Sequence, residues 1–197
     1  MAPALPDLRT ARLDLRIARP GMQVAVARFL RENYEGHLDR WSPPTAAGFF
    51  TEAFWRDRLD ASVDEFQGGR AARFVLQQGG PEGPILGTCN YTNIVRGPFL
   101  ACYLGYQVSR QHEGQGLMAE ALRATNAFMF ESLQLHRIMA NYRPENARSA
   151  KLLERLGFVK EGVAREYLFI DGAWRDHVLT SLTNPSLDAS SIEPAGR

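Results

Sequence analysis

Between Tyr103 and Leu133 the chain passes from an apolar, strand-like stretch through Gln111-His112-Glu113-Gly114-Gln115-Gly116 into a long amphipathic pattern. A strand that opens through two close glycines into a helix leaves unpaired N–H groups at the helix start, where the helix dipole also favours negative charge. Such a turn is a device for holding phosphate, and it predicts a pyrophosphate-bearing cofactor at this point. Leu117, Ala121, Leu122, Thr125, Phe128, Met129 and Leu133 then recur at intervals of three and four, which predicts a helix with one buried face.

The remaining segments must supply a sheet for this unit. Arg12 to Ile17 alternates with period two, so Leu13, Leu15 and Ile17 face a core from a first strand that follows a loose lead-in over 1–8. Pro20-Gly21 breaks that strand, and Met22, Ala25, Val26, Phe29 and Leu30 recur at helical spacing to about Tyr34. Ser42-Pro43-Pro44 interrupts the chain, with helix expected again from about Thr45 to Leu59. Trp41, beside the prolines, is open to two readings, a packing anchor or the lining of a substrate entrance. Strand-like runs from Arg73, Ile85 and Leu100, separated by Gly79-Gly80-Pro81 and Gly97-Pro98, read as an antiparallel meander.

After the long helix, His136 to Tyr142 reads as a strand with Ile138 and Ala140 on one face. Asn146 to Leu156 reads as a short helix capped by Asn146 and stopped at Gly157. Gly162 to Ile170 and Trp174 to Leu182 form a hairpin around Asp171-Gly172. The result is a mixed α/β (α+β) layout in one domain over 1–184, with a flexible tail over 185–197.

A chain of 197 residues can bury a core without disulfides or a structural metal. With 23 basic against 22 acidic side chains there is no bulk electrostatic signal for direct nucleic-acid or membrane binding. No apolar run approaches the roughly 20 residues of a bilayer span. Cys89 and Cys102 lack metal or redox spacing, and each lies in a strand-like run as a small apolar residue rather than a reactive thiol. Without a basic-then-apolar leader, this cysteine usage favours the cytoplasm. No histidine has metal-ligand company, so no metal is expected.

Taken in order, Gln111-x-x-Gly114-x-Gly116 after a strand, Asn146-x-x-Ser149 opening the next helix and Arg155-Leu156-Gly157-Phe158 ending it resemble the GNAT superfamily of acetyl-CoA-dependent N-acetyltransferases over nearly the whole chain. Three further runs, Thr10 to Arg16, His136 to Tyr142 and Tyr167 to Thr180, look like the branch of that superfamily that acetylates N-termini of ribosomal proteins. The resemblance implies a central, mostly antiparallel mixed sheet of about seven strands flanked by helices. It implies acetyl-CoA as cosubstrate, the N-terminal peptide of a ribosomal protein as partner, and a monomer or weak homodimer.

Residue by residue, the resemblance implies that the turn from Gln111 through His112, Glu113, Gly114, Gln115 and Gly116 to Leu117 rings the pyrophosphate. The backbone near Tyr106 and Val108 would pair with the pantetheine arm, and an N–H of that strand would stabilise the oxyanion. Asn146 would contact the same arm, and Ser149 would hydrogen-bond the leaving sulfur. Both residues are equally suited to plain capping of their helix. An α-amine must lose a proton before it attacks, which calls for a base. The resemblance places Glu166 there, against the plainer reading of a solvated glutamate paired with Arg165 or Arg175. Trp41, Tyr167 and His177 would face the acceptor. Two rival readings keep the fold, one with a small-molecule amine as acceptor and one a ribosome- or protein-binding module without catalysis.

Overall fold

Alternation in the first strand leads directly to the sheet. In the computed structural model, which describes residues 3–187, Leu15 and Ile17 are fully buried and Leu13 nearly so. Leu15 and Ile17 belong to β2 (Asp14–Ile17), which Leu13 precedes, next to a short edge strand β1 (Asp7–Arg9) that pairs with it antiparallel. This edge strand begins inside the expected lead-in over 1–8 and ends one residue past it, which gives the sheet eight strands among the described residues. Residues 188–197 of the expected tail lie outside the described residues.

Helix α1 (Gln23–Asn33) buries Val26, Phe29 and Leu30 as its spacing requires. The next helix departs from expectation at both ends: α2 spans Glu52–Gln67 rather than beginning near Thr45 and ending at Leu59. Thr51 is the reason for the late start, since its hydroxyl accepts the Phe54 N–H at 3.3 Å and caps the helix there. Beyond Leu59, Ser62 and Phe66 continue the buried stripe, so packing carries the helix on to the Gly68-Gly69 stop.

The meander is as expected, with β3 (Ala72–Gln77), β4 (Ile85–Val95) and β5 (Ala101–Val108) paired antiparallel in order. Helix α3 (Leu117–Glu131) follows the glycine turn, then β6 (Arg137–Met139), α4 (Ala147–Arg155), β7 (Val159–Ile170) and β8 (Ala173–Thr183). Asp171 and Gly172 both take positive φ, 52° and 70°, as a two-residue hairpin turn demands. The sheet order is β1-β2-β3-β4-β5-β6-β8-β7, with β5 and β6 its one parallel pair.

Two helix layers sandwich the sheet. Val26, Phe29, Leu30 and Leu59 of α1 and α2 pack on Val75 and Ile85. On the opposite face Leu122 and Met129 of α3 and Leu153 of α4 meet Phe74, Leu76, Cys89, Tyr91 and Ile138. Burying side chains of this size is worth about 1.5–3 kcal/mol each. Cys89 and Cys102 are both fully buried, and burial pushes the Cys102 thiol up to about 12 and the Cys89 thiol higher still. No helix among the described residues is long and apolar enough to cross a membrane.

Candidate active site

One irregularity of the sheet creates the site. β5 and β6 pair only over Ala101↔Arg137, Cys102↔Ile138 and Tyr103↔Met139. Past Met139 the chain leaves β5 but stays bonded to β8, with Ala140 N–H on Thr180 O at 3.0 Å and Tyr142 N–H on Val178 O at 3.1 Å. The strand expected over His136–Tyr142 is therefore three residues long. Its early departure leaves one edge of β5 from Leu104 to Val108 without a strand partner. A strand edge of this kind offers a row of N–H and C=O groups to an extended ligand.

The glycine turn closes one end of the gap. Gly116 takes φ 76° as the residue preceding α3, and Gly114 takes φ 73° with open space where a Cβ would stand. Among the described residues, Glu120 is the first of α3 to return a bond to a carbonyl four residues back, Gly116 O at 3.1 Å. The N–H groups of Gly114 to Ala119 have no acceptor within the described protein. Six free donors at a helix start are the kind of arrangement that favours an anion.

Distant segments brace this turn. The Arg110 N–H donates to Asn33 Oδ1 at 2.9 Å, and His37 Nε2 donates to Val108 O at 3.0 Å. Arg12 pairs with Glu120 at 2.7 Å and donates to Gln115 O at 3.0 Å. Burial opposes ionisation of Glu120, but the Thr10 hydroxyl and the Arg12 guanidinium and N–H outweigh it and hold the carboxyl below its usual range. Glu113, which would otherwise place negative charge beside an incoming anion, is neutralised by an ion pair with Arg148.

A cleft of about 1440 Å³ runs from the turn along the open β5 edge to the β7–β8 hairpin. This exceeds the roughly 300–1,000 Å³ of an ordinary small-molecule pocket and can hold two substrates together. Tyr106, Val108, His112, Glu113, Gly114, Gly116, Leu117, Asn146, Ser149, Trp41, Tyr167 and His177 line it together. Gln111 and Gln115 do not line it. They shape the turn from behind, with Gln115 Nε2 donating to Gln111 O at 2.9 Å.

Midway along the cleft, Asn146 Oδ1 accepts the Ser149 N–H at 3.1 Å, the capping bond expected of it. Ser149 Oγ meets the Tyr106 hydroxyl at 2.5 Å. Burial raises the Tyr106 phenol to about 12 against the lowering effect of Ser149, so it remains a proton donor at neutral pH. At the far end Asn141 Nδ2 donates to Tyr167 Oη at 3.1 Å, and the Tyr167 ring lies 5.4 Å from His177. His177 is 3% exposed, and its Nδ1 donates to Arg175 O at 3.0 Å, which leaves the Nε2 lone pair without a partner among the described residues. Trp41 lines the cleft, and the Arg40 and Arg143 guanidiniums lie 5.6 and 5.4 Å from its ring.

Glu166 is the exception. It sits on a bulge of β7 between Ala164 and Leu168 with φ 47°, its N–H donating to Asp176 Oδ1 at 2.9 Å. The bulge turns its side chain to solvent and out of the cleft lining. Sequence reasoning passed over His37, Asn33, Arg143 and the Tyr106 side chain. The first three lie in no recognisable motif, but Tyr106 carried a signal: within β5 it alternates onto the face that packs against the core with α4.

Residues 13–159 match the model of the acetyltransferase (GNAT) domain family, and the chain belongs to that family. Within it, the chain is 43% identical over 178 residues to the [ribosomal protein uS5]-alanine N-acetyltransferase of Escherichia coli (strain K12), covering 90% of this chain and 91% of that one. The crystal structure of ribosomal-protein-S5-alanine acetyltransferase from Vibrio fischeri superposes with a TM-score of 0.88 at 39% identity, over 93% of this chain and 99% of that one. Mycobacterium smegmatis RimJ, solved in complex with CoA-disulfide, gives a TM-score of 0.74 at 31% identity over 91% and 86%.

Proposed function

We propose that this protein is an acetyl-CoA-dependent N-α-acetyltransferase whose acceptor is the N-terminal alanine of a ribosomal protein, acetylated by direct attack in a ternary complex. The observation that carries the reading is 43% identity, over nine-tenths of both chains, to an enzyme of that specificity. A ribosomal acceptor also implies a cytoplasmic site of action.

The residues present fit the cosubstrate. Six free N–H groups from Gly114 to Ala119 suit a pyrophosphate, and the open β5 edge suits an amide-bearing arm. Acetyl-CoA supplies an acetyl group activated as a thioester. The protein's own part is to hold that thioester at the middle of the cleft, beside Ser149 and Asn146, with an edge N–H of β5 available to the developing oxyanion. The acceptor amine enters past Trp41 and Tyr167. His177, with Nδ1 tied to a backbone carbonyl and Nε2 free, takes the amine proton, a role the solvent-facing Glu166 is not positioned to fill. Ser149 donates a hydrogen bond to the sulfur as the C–S bond breaks.

The test is mass spectrometry after incubating the protein with acetyl-CoA and either peptides beginning with Ala, Ser or Met or a set of polyamines and amino acids. A gain of one acetyl group, fastest on the alanine peptide, is the expected result. Gain on the small amines with none on any peptide would overturn the peptide assignment, and no gain on any amine would favour a binding module.

A further inference from the structure

The hydroxyl of Ser149 has a single proton, and its useful direction is into the cleft. The hydroxyl's one protein partner among the described residues is the Tyr106 phenol at 2.5 Å, and that contact can be made in two ways. If Ser149 donates, the proton of the half-buried Tyr106 phenol is left without a protein acceptor among the described residues, and such an unpaired donor is disfavoured. If Tyr106 donates, both groups are satisfied, and the serine proton is free to point toward the space that Ser149 lines. Among the described residues the serine hydroxyl has no hydrogen bond besides that to Tyr106.

We propose that Tyr106 is a positioning residue for acetyl transfer: its phenol donates to Ser149 Oγ and thereby turns the serine proton toward the sulfur that departs. The proposal rests on the reading above that the thioester lies at Ser149. In the step itself the amine nitrogen forms the new C–N bond, and its proton passes to His177 and on to solvent. The C–S bond breaks with its electron pair on sulfur, which takes a proton from solvent after release. Neither Ser149 nor Tyr106 ionises, so the pair works as a fixed hydrogen bond donor rather than as an acid. Burial of the phenol keeps this arrangement over the whole working range of pH.

Single-turnover rates of Tyr106→Phe, Ser149→Ala and the double variant test it. Tyr106→Phe should slow transfer about tenfold with the KM for acetyl-CoA changed less than about twofold, and adding it to Ser149→Ala should slow that variant no further. A double variant slower than Ser149→Ala by the full Tyr106→Phe factor, or an undiminished rate in Tyr106→Phe, would overturn the proposal. A second arm does not depend on how well phenylalanine packs. With 3,5-difluorotyrosine at position 106, the rate should fall at least about fivefold as pH rises through ionisation of the acidified phenol, because the phenolate then draws the serine proton away from sulfur. A flat profile through that ionisation would count against it. Acetylation of the alanine peptide by the wild-type protein is measured first, so a failure of the acceptor assignment is seen separately. The same ratios are then read on whichever amine the protein does acetylate.

Discussion

The two ends of the cleft are built from different materials. At the end proposed for the pyrophosphate the groups on offer are backbone N–H donors from six consecutive residues, placed by one turn and one helix start. At the end proposed for the acceptor they are side chains drawn from four separate stretches, Trp41, Asn141, Tyr167 and His177, which line the cleft there. Backbone donors at a helix start depend little on side-chain identity, which suits a cosubstrate that does not change. Side chains on separate elements can be exchanged one at a time, which suits a site that selects its acceptor.

The sharpest way to break this comparison is at His177. Replacing it with Gln removes the free Nε2 lone pair and should lower kcat about 10²-fold or more while leaving CoA affinity unchanged, as read by steady-state kinetics beside calorimetric titration. At the other end Gly116→Val forces a β-branched residue into φ 76° at the mouth of the anion site. CoA affinity should weaken about 10- to 100-fold, from about 1–3 kcal/mol of strain, with the peptide KM unaffected. If either variant disturbs both substrates equally, the two ends are not separable.

A smaller effect probes the middle. Burial holds the Tyr106 phenol at about 12, above its unfolded value near 10, so the native state keeps that proton where the unfolded state loses it. Stability should therefore be complete below about pH 10 and decline from there toward pH 12, and Tyr106→Phe should flatten part of that decline in denaturant titrations. Tyr91, which burial also drives upward, accounts for some of what remains. Smallest of all, Glu166→Gln should change kcat less than about twofold, because the β7 bulge points that carboxylate to solvent. A loss of tenfold or more would return the base to Glu166 and remove it from His177.

Legibility followed the same division. Gly114, Gly116, Asn146, Gly157 and Asp171-Gly172 were readable because each answers a local need, a positive φ or an orphan N–H, that the neighbouring residues define. Leu13, Leu15 and Ile17, and the stripe on α3, were readable because burial imposes a period. The short β6 was not, since bonds to distant β8 decide where it leaves β5, whereas the late start of α2 follows a local cap by Thr51 that the reading passed over. Glu166 was misplaced because a bulge shifts the strand's alternation, and an irregular register cannot be counted along the chain.

The amino-acid sequence by itself determined the glycine turn, the helix it opens and the family to which they belong, because unpaired N–H groups and positive φ angles are consequences of residues within a few positions of one another. Only the tertiary structure decided that β5 and β6 part after Tyr103, that Tyr106 meets Ser149 and that His177 rather than Glu166 faces the cleft. Those depend on where distant strands stop pairing, and pairing is settled by the free energy of the whole sheet rather than by any one segment.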